Sequence, residues 1–203
     1  MESELKWYIP ADCLLLKKAV EQGDLFIGST DTVLGLMGAV SPDTIKEIDS
    51  LKQRKEKPYL VLVDSIEKVS KIAYVKPQIK KGLEELWPAP VTVILPKSKL
   101  APSFVGSEQT VAVRIPNHLG LCSIIKDLPY GLLSTSANIS GEPVPYSFSD
   151  VSDSIKEALR FYIEDGQKDM KASTIIDLTG DTLKVIREGT YPIEKIEAIF
   201  TDV

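Results

Sequence analysis

Ser134 to Pro143 reads STSANISGEP, directly after the apolar run YGLLS of Tyr130 to Ser134. The apolar run reads as a buried strand, and Gly141 and Pro143 end any regular element beyond it. Between them, Ser134, Thr135, Ser136 and Asn138 set three hydroxyls and an amide within five residues. A polar cluster at the exit of a core strand is where open α/β sheets hold ligands. Short hydroxyls and an amide can bond phosphate or carboxylate oxygens without adding bulk. The competing reading is a Ser/Asn-rich turn that satisfies only its own backbone. Local sequence leaves both open.

Outward from this stretch, helix and strand patterns alternate, which predicts an α/β sheet with helices packed on it. Toward the N-terminus, Asp12 caps a predicted helix that runs to Gln22 and stops at Gly23. LFIG, Leu25 to Gly28, is a short strand. Ser41-Pro42 reads as an N-cap followed by proline at the first helical position, with Ile45, Ile48 and Leu51 at helical spacing. YLVLV (Tyr59 to Val63), VTVIL (Val91 to Leu95) and TVAVRI (Thr110 to Ile115) are β-rich strands, and a helix covers Lys76 to Leu86. Toward the C-terminus, Asn117 opens a helix that ends before Pro129, and Ser149-Asp150 opens another through Leu159. STIIDL (Ser173 to Leu178) and LKVIR (Leu183 to Arg187) form a closing hairpin around TGDT, followed by a helix from Pro192 to Phe200. No repeat, long linker or low-complexity tract divides the chain, so residues 1–203 read as a single domain.

The composition is that of an ordinary globular protein: 203 residues, 43% hydrophobic and 26% charged, with a net charge of −5. That charge argues against a surface given over wholly to nucleic acid, though not against a local basic groove. The N-terminus has no basic region before an apolar block, and no apolar run reaches membrane-spanning length. Cys13 and Cys122 sit among apolar residues and read as reduced core cysteines. These features predict a cytoplasmic protein without a membrane partner.

Further polar clusters stand at element ends. Gly28 to Leu36, GSTDTVLGL, puts Thr30, Asp31 and Thr32 at the exit of a strand, where the alternative is a helix cap formed by Ser29 or Thr30. Gly28 and Gly35 would allow close backbone approach there. Leu51 to Pro58, LKQRKEKP, places Lys52, Arg54, Lys55 and Lys57 at a helix C-terminus. These cations either clamp a polyphosphate or form a solvated terminal turn favoured by the helix dipole, and both readings leave them exposed. Arg114 interrupts the apolar strand TVAVRI and needs an anion, either a ligand or an internal carboxylate. The flanking strand residues offer no acid, which favours a ligand and a guanidinium kept wet by an open pocket. His118, at the start of a helix, reads as a cap or a surface side chain. Ser173, Thr174 and Arg187 stand at strand ends in the hairpin. Arg187 meets either a ligand anion or a salt bridge to Asp177 or Glu188. The familiar phosphate-loop, dinucleotide-binding, nucleophile-elbow and paired-cysteine zinc signatures are missing.

In order along the chain, these pieces resemble the YrdC-type family, the L-threonylcarbamoyladenylate synthases. STDTVLGL (Ser29 to Leu36) is similar to that family's PTDTVYGL, and LKQRKEKPYL (Leu51 to Leu60) to its K-x-R-P...KPL segment. WPAPVT (Trp87 to Thr92) resembles WPGPLT, and Ala112 to His118 match AVRxPxH. Ser136-Ala137-Asn138 match the SAN motif, and Ser173 to Leu178 match STxxDL, with Arg187 and Gly189 following. The resemblance spans Gly28 to Gly189. Departures stand at Ser29, where the family has Pro, at Leu34 for Tyr, at Lys55 for Pro, and at Leu62, where some members carry His. The loop GQKDMKAST, Gly166 to Thr174, also lacks the common glycine-rich form.

The resemblance implies a YrdC-like fold: an open, twisted mixed α/β sheet with flanking helices and a concave basic pocket, in the single-domain branch. It implies that L-threonine, bicarbonate and ATP give threonylcarbamoyl-AMP, pyrophosphate and water. The adenylate then passes to a downstream tRNA threonylcarbamoyl transferase. By that resemblance Thr30, Arg114 and Ser173 hold threonine, with Arg114 on its carboxylate. Lys52, Arg54, Ser134, Ser136, Asn138 and Arg187 hold ATP, with Mg²⁺ bridging its phosphates. No covalent nucleophile and no protein-only metal site are expected. The other class in play is an RNA- or nucleotide-binding paralogue without synthase activity. RNA contact, including double-stranded RNA, belongs to the same family expectation.

Overall fold

The computed structural model describes residues 3–54, 59–163 and 171–201. Lys55 and Lys57 of the cation cluster, and residues 166–170 of the loop before Ser173, lie outside the described residues. The strands are β1 (Ser3–Leu5), β2 (Phe26–Gly28), β3 (Gly35–Ala39), β4 (Leu60–Leu62), β5 (Val91–Pro96), β6 (Thr110–Arg114), β7 (Leu132–Ser136), β8 (Phe161–Ile163), β9 (Thr174–Asp177) and β10 (Lys184–Arg187). The helices are α1 (Pro10–Glu21), α2 (Pro42–Leu51), α3 (Ile66–Ile72), α4 (Pro77–Leu86), α5 (Leu119–Ile125), α6 (Asp153–Lys156) and α7 (Ile193–Ile199). Among the described residues all strands join one 10-stranded sheet in the order β1-β8-β2-β3-β7-β4-β6-β5-β9-β10. The sheet is mixed: β1–β8, β2–β8, β4–β6 and β5–β9 run parallel, whereas β3–β7, β4–β7 and β5–β6 run antiparallel. No described helix is long and apolar enough to cross a membrane.

Local chemistry explains where the elements start. The Ser41 hydroxyl accepts the Thr44 N–H and Pro42 takes the first turn, so α2 begins where the sequence predicts. Ser65 caps α3 in the same way, accepting the Lys68 N–H. That helix was not foreseen, although Ile66, Val69 and Ile72 carry its spacing. The helix expected from Asn117 starts later: His118 is the cap, its Nδ1 accepting the Leu121 N–H, and α5 already ends at Ile125. The helix expected from Ser149 to Leu159 is a correction too. Ser147 and Asp150 close a capping box around a single 3₁₀ turn, α6 is one turn long, and the chain then straightens into β8.

Period two along the strands sorts side chains between the faces. Leu36, Val61, Val93, Val113 and Leu133 join one apolar cluster, which takes in Ile48 of α2, Val69 and Ile72 of α3, Ile79 and Leu83 of α4 and Ile196 of α7. Their strand neighbours Met37, Leu62 and Leu132 join the other, which is covered by Leu16, Ala19 and Val20 of α1 and by Leu121, Ile124 and Ile125 of α5. On this second face α1 and α5 cover one part of the sheet. The strip beyond them is where the polar strand-end residues gather.

Candidate active site

The uncovered strip is the floor of a cavity of about 410 Å³. Its base is set by register: Ser134 stands opposite Leu60, Leu60 opposite Ala112, and Ala112 opposite Ile94. Thr30, Arg54, Arg114, Ser134, Ser136, Ser173 and Arg187 line this one cavity, so the structure brings these sequence-predicted residues together. Thr32, Tyr59, Leu60, Thr92 and Ile175 also line it.

The inner wall comes from the turn after β2. Thr30 Oγ1 accepts the Thr32 N–H at 3.0 Å and donates to the Val33 carbonyl at 2.9 Å, which locks the turn. Ser29 is fully buried and accepts the Trp7 indole N–H at 3.1 Å. Arg114 reaches this turn from the end of β6. Its Nη1 donates to Thr32 Oγ1 at 3.2 Å, and its Nη2 lies 3.4 Å from Asp31 Oδ1. The wet guanidinium expected from sequence is therefore corrected: Arg114 is 2% exposed and has an internal acid. The acid lies on a loop distant in sequence, which a search of flanking strand positions cannot find. Burial pulls the Arg114 pKa down, Asp31 pushes it back up and Arg187 adds a smaller downward pull. Its Nε remains buried without a hydrogen-bond partner among the described residues.

Lys52 is a second correction. The expected exposed cation is 2% exposed, and its ammonium donates to the Ser136 and Asn138 carbonyls, both at 2.6 Å, and to Asn138 Oδ1 at 3.3 Å. The Lys52 carbonyl in turn accepts the Ser140 N–H at 3.2 Å. The end of α2 is thus stitched to the loop after β7. Burial, and secondarily the Arg54 charge, lower the Lys52 pKa to about 8. Asn138 stands beside this stitch rather than in the cavity wall: its amide donates to the Glu142 carbonyl at 2.6 Å, and its Oδ1 accepts from Ser136 Oγ at 2.5 Å. Only part of STSANISGEP is therefore spent on its own backbone. Asn138 satisfies loop backbone, whereas Ser134 and Ser136, two apart on β7, face the cavity.

The outer wall is the hairpin of β9 and β10. Arg187 Nη2 and Nε donate to the Ser173 carbonyl at 2.9 and 3.2 Å, and burial lowers the arginine's pKa. Asp177, one of its expected alternative partners, is instead taken by the N–H and hydroxyl of Thr179. Ser173 Oγ lies 2.9 Å from Thr92 Oγ1. Gly189 crosses so close behind Ser173 that an added Cβ would stand 2.3 Å from the Ala172 oxygen and the Ser173 carbonyl carbon. Sequence reasoning passed over Thr92 and Tyr59 as site residues. Their signal was a hydroxyl at an inward position of the strand VTVIL, and an aromatic directly beside the cation cluster.

Three arginines and a set of hydroxyls around a half-open cavity suit a ligand rich in anionic oxygens. Among the described residues no group of three or more His, Cys, Asp or Glu side chains stands together.

A family model described as "Telomere recombination", that of Sua5, YciO and YrdC, matches residues 18–189. The chain belongs to the Sua5–YciO–YrdC family. A protein of Methanocaldococcus jannaschii named putative threonylcarbamoyl-AMP synthase is 32% identical over 185 residues, covering 89% of this chain and 87% of its own length. The threonylcarbamoyl-AMP synthase of Pyrococcus abyssi is also 32% identical, over 91% of this chain, but this chain spans only 56% of that protein. The structure of P. abyssi Sua5 complexed with L-threonine superposes with a TM-score of 0.87 at 29% identity, over 100% of this chain and 62% of that one. Escherichia coli YciO, with a TM-score of 0.82 at 18% identity, shares the fold. The open mixed sheet with flanking helices is thus the Sua5–YrdC fold.

Proposed function

We propose that this chain is a threonylcarbamoyl-AMP synthase that joins L-threonine, bicarbonate and ATP. The observation that carries the reading lies in the cavity wall. Arg54 and Arg114 both line the cavity, and both hold buried guanidinium N–H groups without a hydrogen-bond partner among the described residues. Buried donors of a permanent cation call for anionic acceptors, which a carboxylate and a polyphosphate supply. Relatives bearing the synthase name over most of this chain's length support the same conclusion.

In this reading Arg114, with Thr30, Thr32 and Ser173 nearby, receives the threonine carboxylate. Arg54, Ser134, Ser136 and Arg187 receive the nucleotide, and Lys52 and Asn138 hold the wall behind it. The threonine nitrogen bonds to the bicarbonate carbon with loss of water. The resulting carbamate oxygen then bonds to the α-phosphorus as pyrophosphate leaves. The protein's part is to position the reactants and neutralise charge with fixed donors, with no covalent enzyme intermediate. Mg²⁺ enters on the ATP phosphates. The adenylate passes to a downstream tRNA threonylcarbamoyl transferase in the cytoplasm, and RNA contact, double-stranded RNA included, completes the proposal.

Pyrophosphate release by the purified protein is the test. Release that requires both threonine and bicarbonate is expected. ATP binding without threonine-dependent release would instead support the binding paralogue. Gel mobility with a tRNA transcript and with an RNA duplex tests the RNA contact.

A further inference from the structure

Arg54 is held in a way that the anion-binding role alone does not explain. Gln53 takes a left-handed conformation, φ 51°, immediately after α2, and turns the chain so that the Arg54 N–H bonds the Asp49 carbonyl at 3.1 Å. The Arg54 side chain then lies between two neighbours. Its Cζ sits 4.2 Å from the centre of the Tyr59 ring, and its Nε is 3.4 Å from Asp49 Oδ1. The Tyr59 hydroxyl donates to that same Asp49 oxygen at 2.5 Å. One face of the guanidinium is covered by the aromatic ring, and the acid that flanks it is fixed by the ring's own hydroxyl. Nε and Nη2 remain buried without hydrogen-bond partners among the described residues.

We propose that Tyr59 and Asp49 are positioning residues for polyphosphate binding, acting through Arg54. The inference rests on the nucleotide reading of the cavity. A free arginine would have to be ordered as the ligand arrives, whereas a guanidinium stacked on a ring and flanked by an acid is ordered beforehand. The ring adds a cation–π contact to a guanidinium whose side chain is only 12% exposed. Burial, reinforced by the hydrogen bond to Asp49, raises the Tyr59 pKa to about 12, so the phenol keeps the proton it donates throughout the working range. Asp49 comes from α2 and Tyr59 directly precedes β4, so the trio ties those two elements together.

Calorimetric titration with ATP and with inorganic tripolyphosphate tests this on wild type, Tyr59→Leu, Tyr59→Phe, Arg54→Ala and the Arg54→Ala/Tyr59→Leu double variant. Tyr59→Leu is expected to weaken both probes about tenfold, and Tyr59→Phe, which keeps the ring, no more than about threefold. Threonine affinity stays unchanged. In the Arg54→Ala background the further loss of Tyr59 is expected to cost nothing, because the residue acts through the missing guanidinium. Should Tyr59→Leu fail to fold, Asp49→Asn takes its place with the same non-additivity expected. An equal loss from Tyr59→Leu with and without Arg54, or no loss at all, overturns the positioning role. Wild type that binds neither probe overturns the nucleotide reading itself.

Discussion

Asp31 Oδ1 and Arg114 Nη2 stand 3.4 Å apart at the inner end of the cavity, on side chains only 6% and 3% exposed. The other carboxylate oxygen of Asp31 accepts the Asn117 N–H at 2.9 Å, so the acid ties the turn after β2 to the exit of β6. The pair gives Arg114 a built-in counter-charge, which a threonine carboxylate would join rather than replace. Arg114 Nε, without a hydrogen-bond partner among the described residues, is a donor available to it.

Breaking this pair from either side is expected to have different effects. Asp31→Asn leaves a buried guanidinium uncompensated and should cost about 3–5 kcal/mol in urea unfolding. Arg114→Ala strands the acid and should lower stability by a similar amount, while also raising the threonine requirement of pyrophosphate release steeply. ATP affinity should change little. Thermal melts of both variants, with and without threonine, make the comparison. A normal threonine requirement in a folded Arg114→Ala protein removes the arginine from the threonine site.

Lys52→Ala should behave as a broken stitch rather than a missing phosphate ligand. It removes the ammonium donor from the Ser136 and Asn138 carbonyls, at about 1–3 kcal/mol for acceptors left unpaired, whereas Asn138 Oδ1 keeps the Ser136 hydroxyl. Backbone amide exchange across residues 136–140 is expected to speed up even without nucleotide. Weakened ATP binding with unchanged exchange would mean that the ammonium meets the ligand directly.

The same lysine predicts a pH dependence of stability. Its folded pKa, about 8, lies below the ordinary value of 10.5 that the unfolded chain keeps. Between those values the unfolded chain holds a proton that the folded chain has released, so this group's contribution to stability rises with pH across that window. Urea midpoints from pH 7 to 10.5, taken as the difference between wild type and Lys52→Met, should show the rise. A flat difference would show that the carbonyl contacts hold the proton in place.

Gly189→Ala should damage the outer wall without touching a ligand. Its Cβ would stand 2.3 Å from backbone atoms of Ala172, Ser173 and Thr174, and backbone cannot step aside as a flexible side chain can. A stability loss of about 1–3 kcal/mol is expected from the forced shift. ATP affinity should fall with it, because Arg187 is anchored on the Ser173 carbonyl. Native-like ATP titration with this variant would show that the anchor is dispensable.

Much of the molecule was legible wherever chemistry is local. Ser41-Pro42 announces α2 by itself, and the β-branched runs of β5 and β6 need no partner to be read. The polar strand ends converge on one cavity because strand exits in an open sheet lie side by side. What stayed hidden depends on distant neighbours. β1 and β8 are three residues each and exist through pairing with distant strands, β8 lying between β1 and β2. β3, GLMGA, has two glycines and no β-branched residue to mark it as a strand, yet it is nearly all buried between β2 and β7. The run LKQRK around Lys52 has the look of a solvated terminus, and only the loop folded over it from β7 makes that lysine a buried one.

The alternation of side chains across the central strands has a bearing on how such a protein can change. Leu60, Ala112, Arg114 and Ser134 look into the cavity, whereas Val61, Val113 and Leu133, one step along the same strands, belong to the apolar cluster on the far side. A substitution at the first set reshapes what the cavity admits and leaves the far-side packing in place. Ala112 is the position where this freedom is widest, being the smallest side chain in the register row from Ser134 to Ile94. New ligand preferences are open to this sheet through single exchanges, with no need to rebuild the core that holds it.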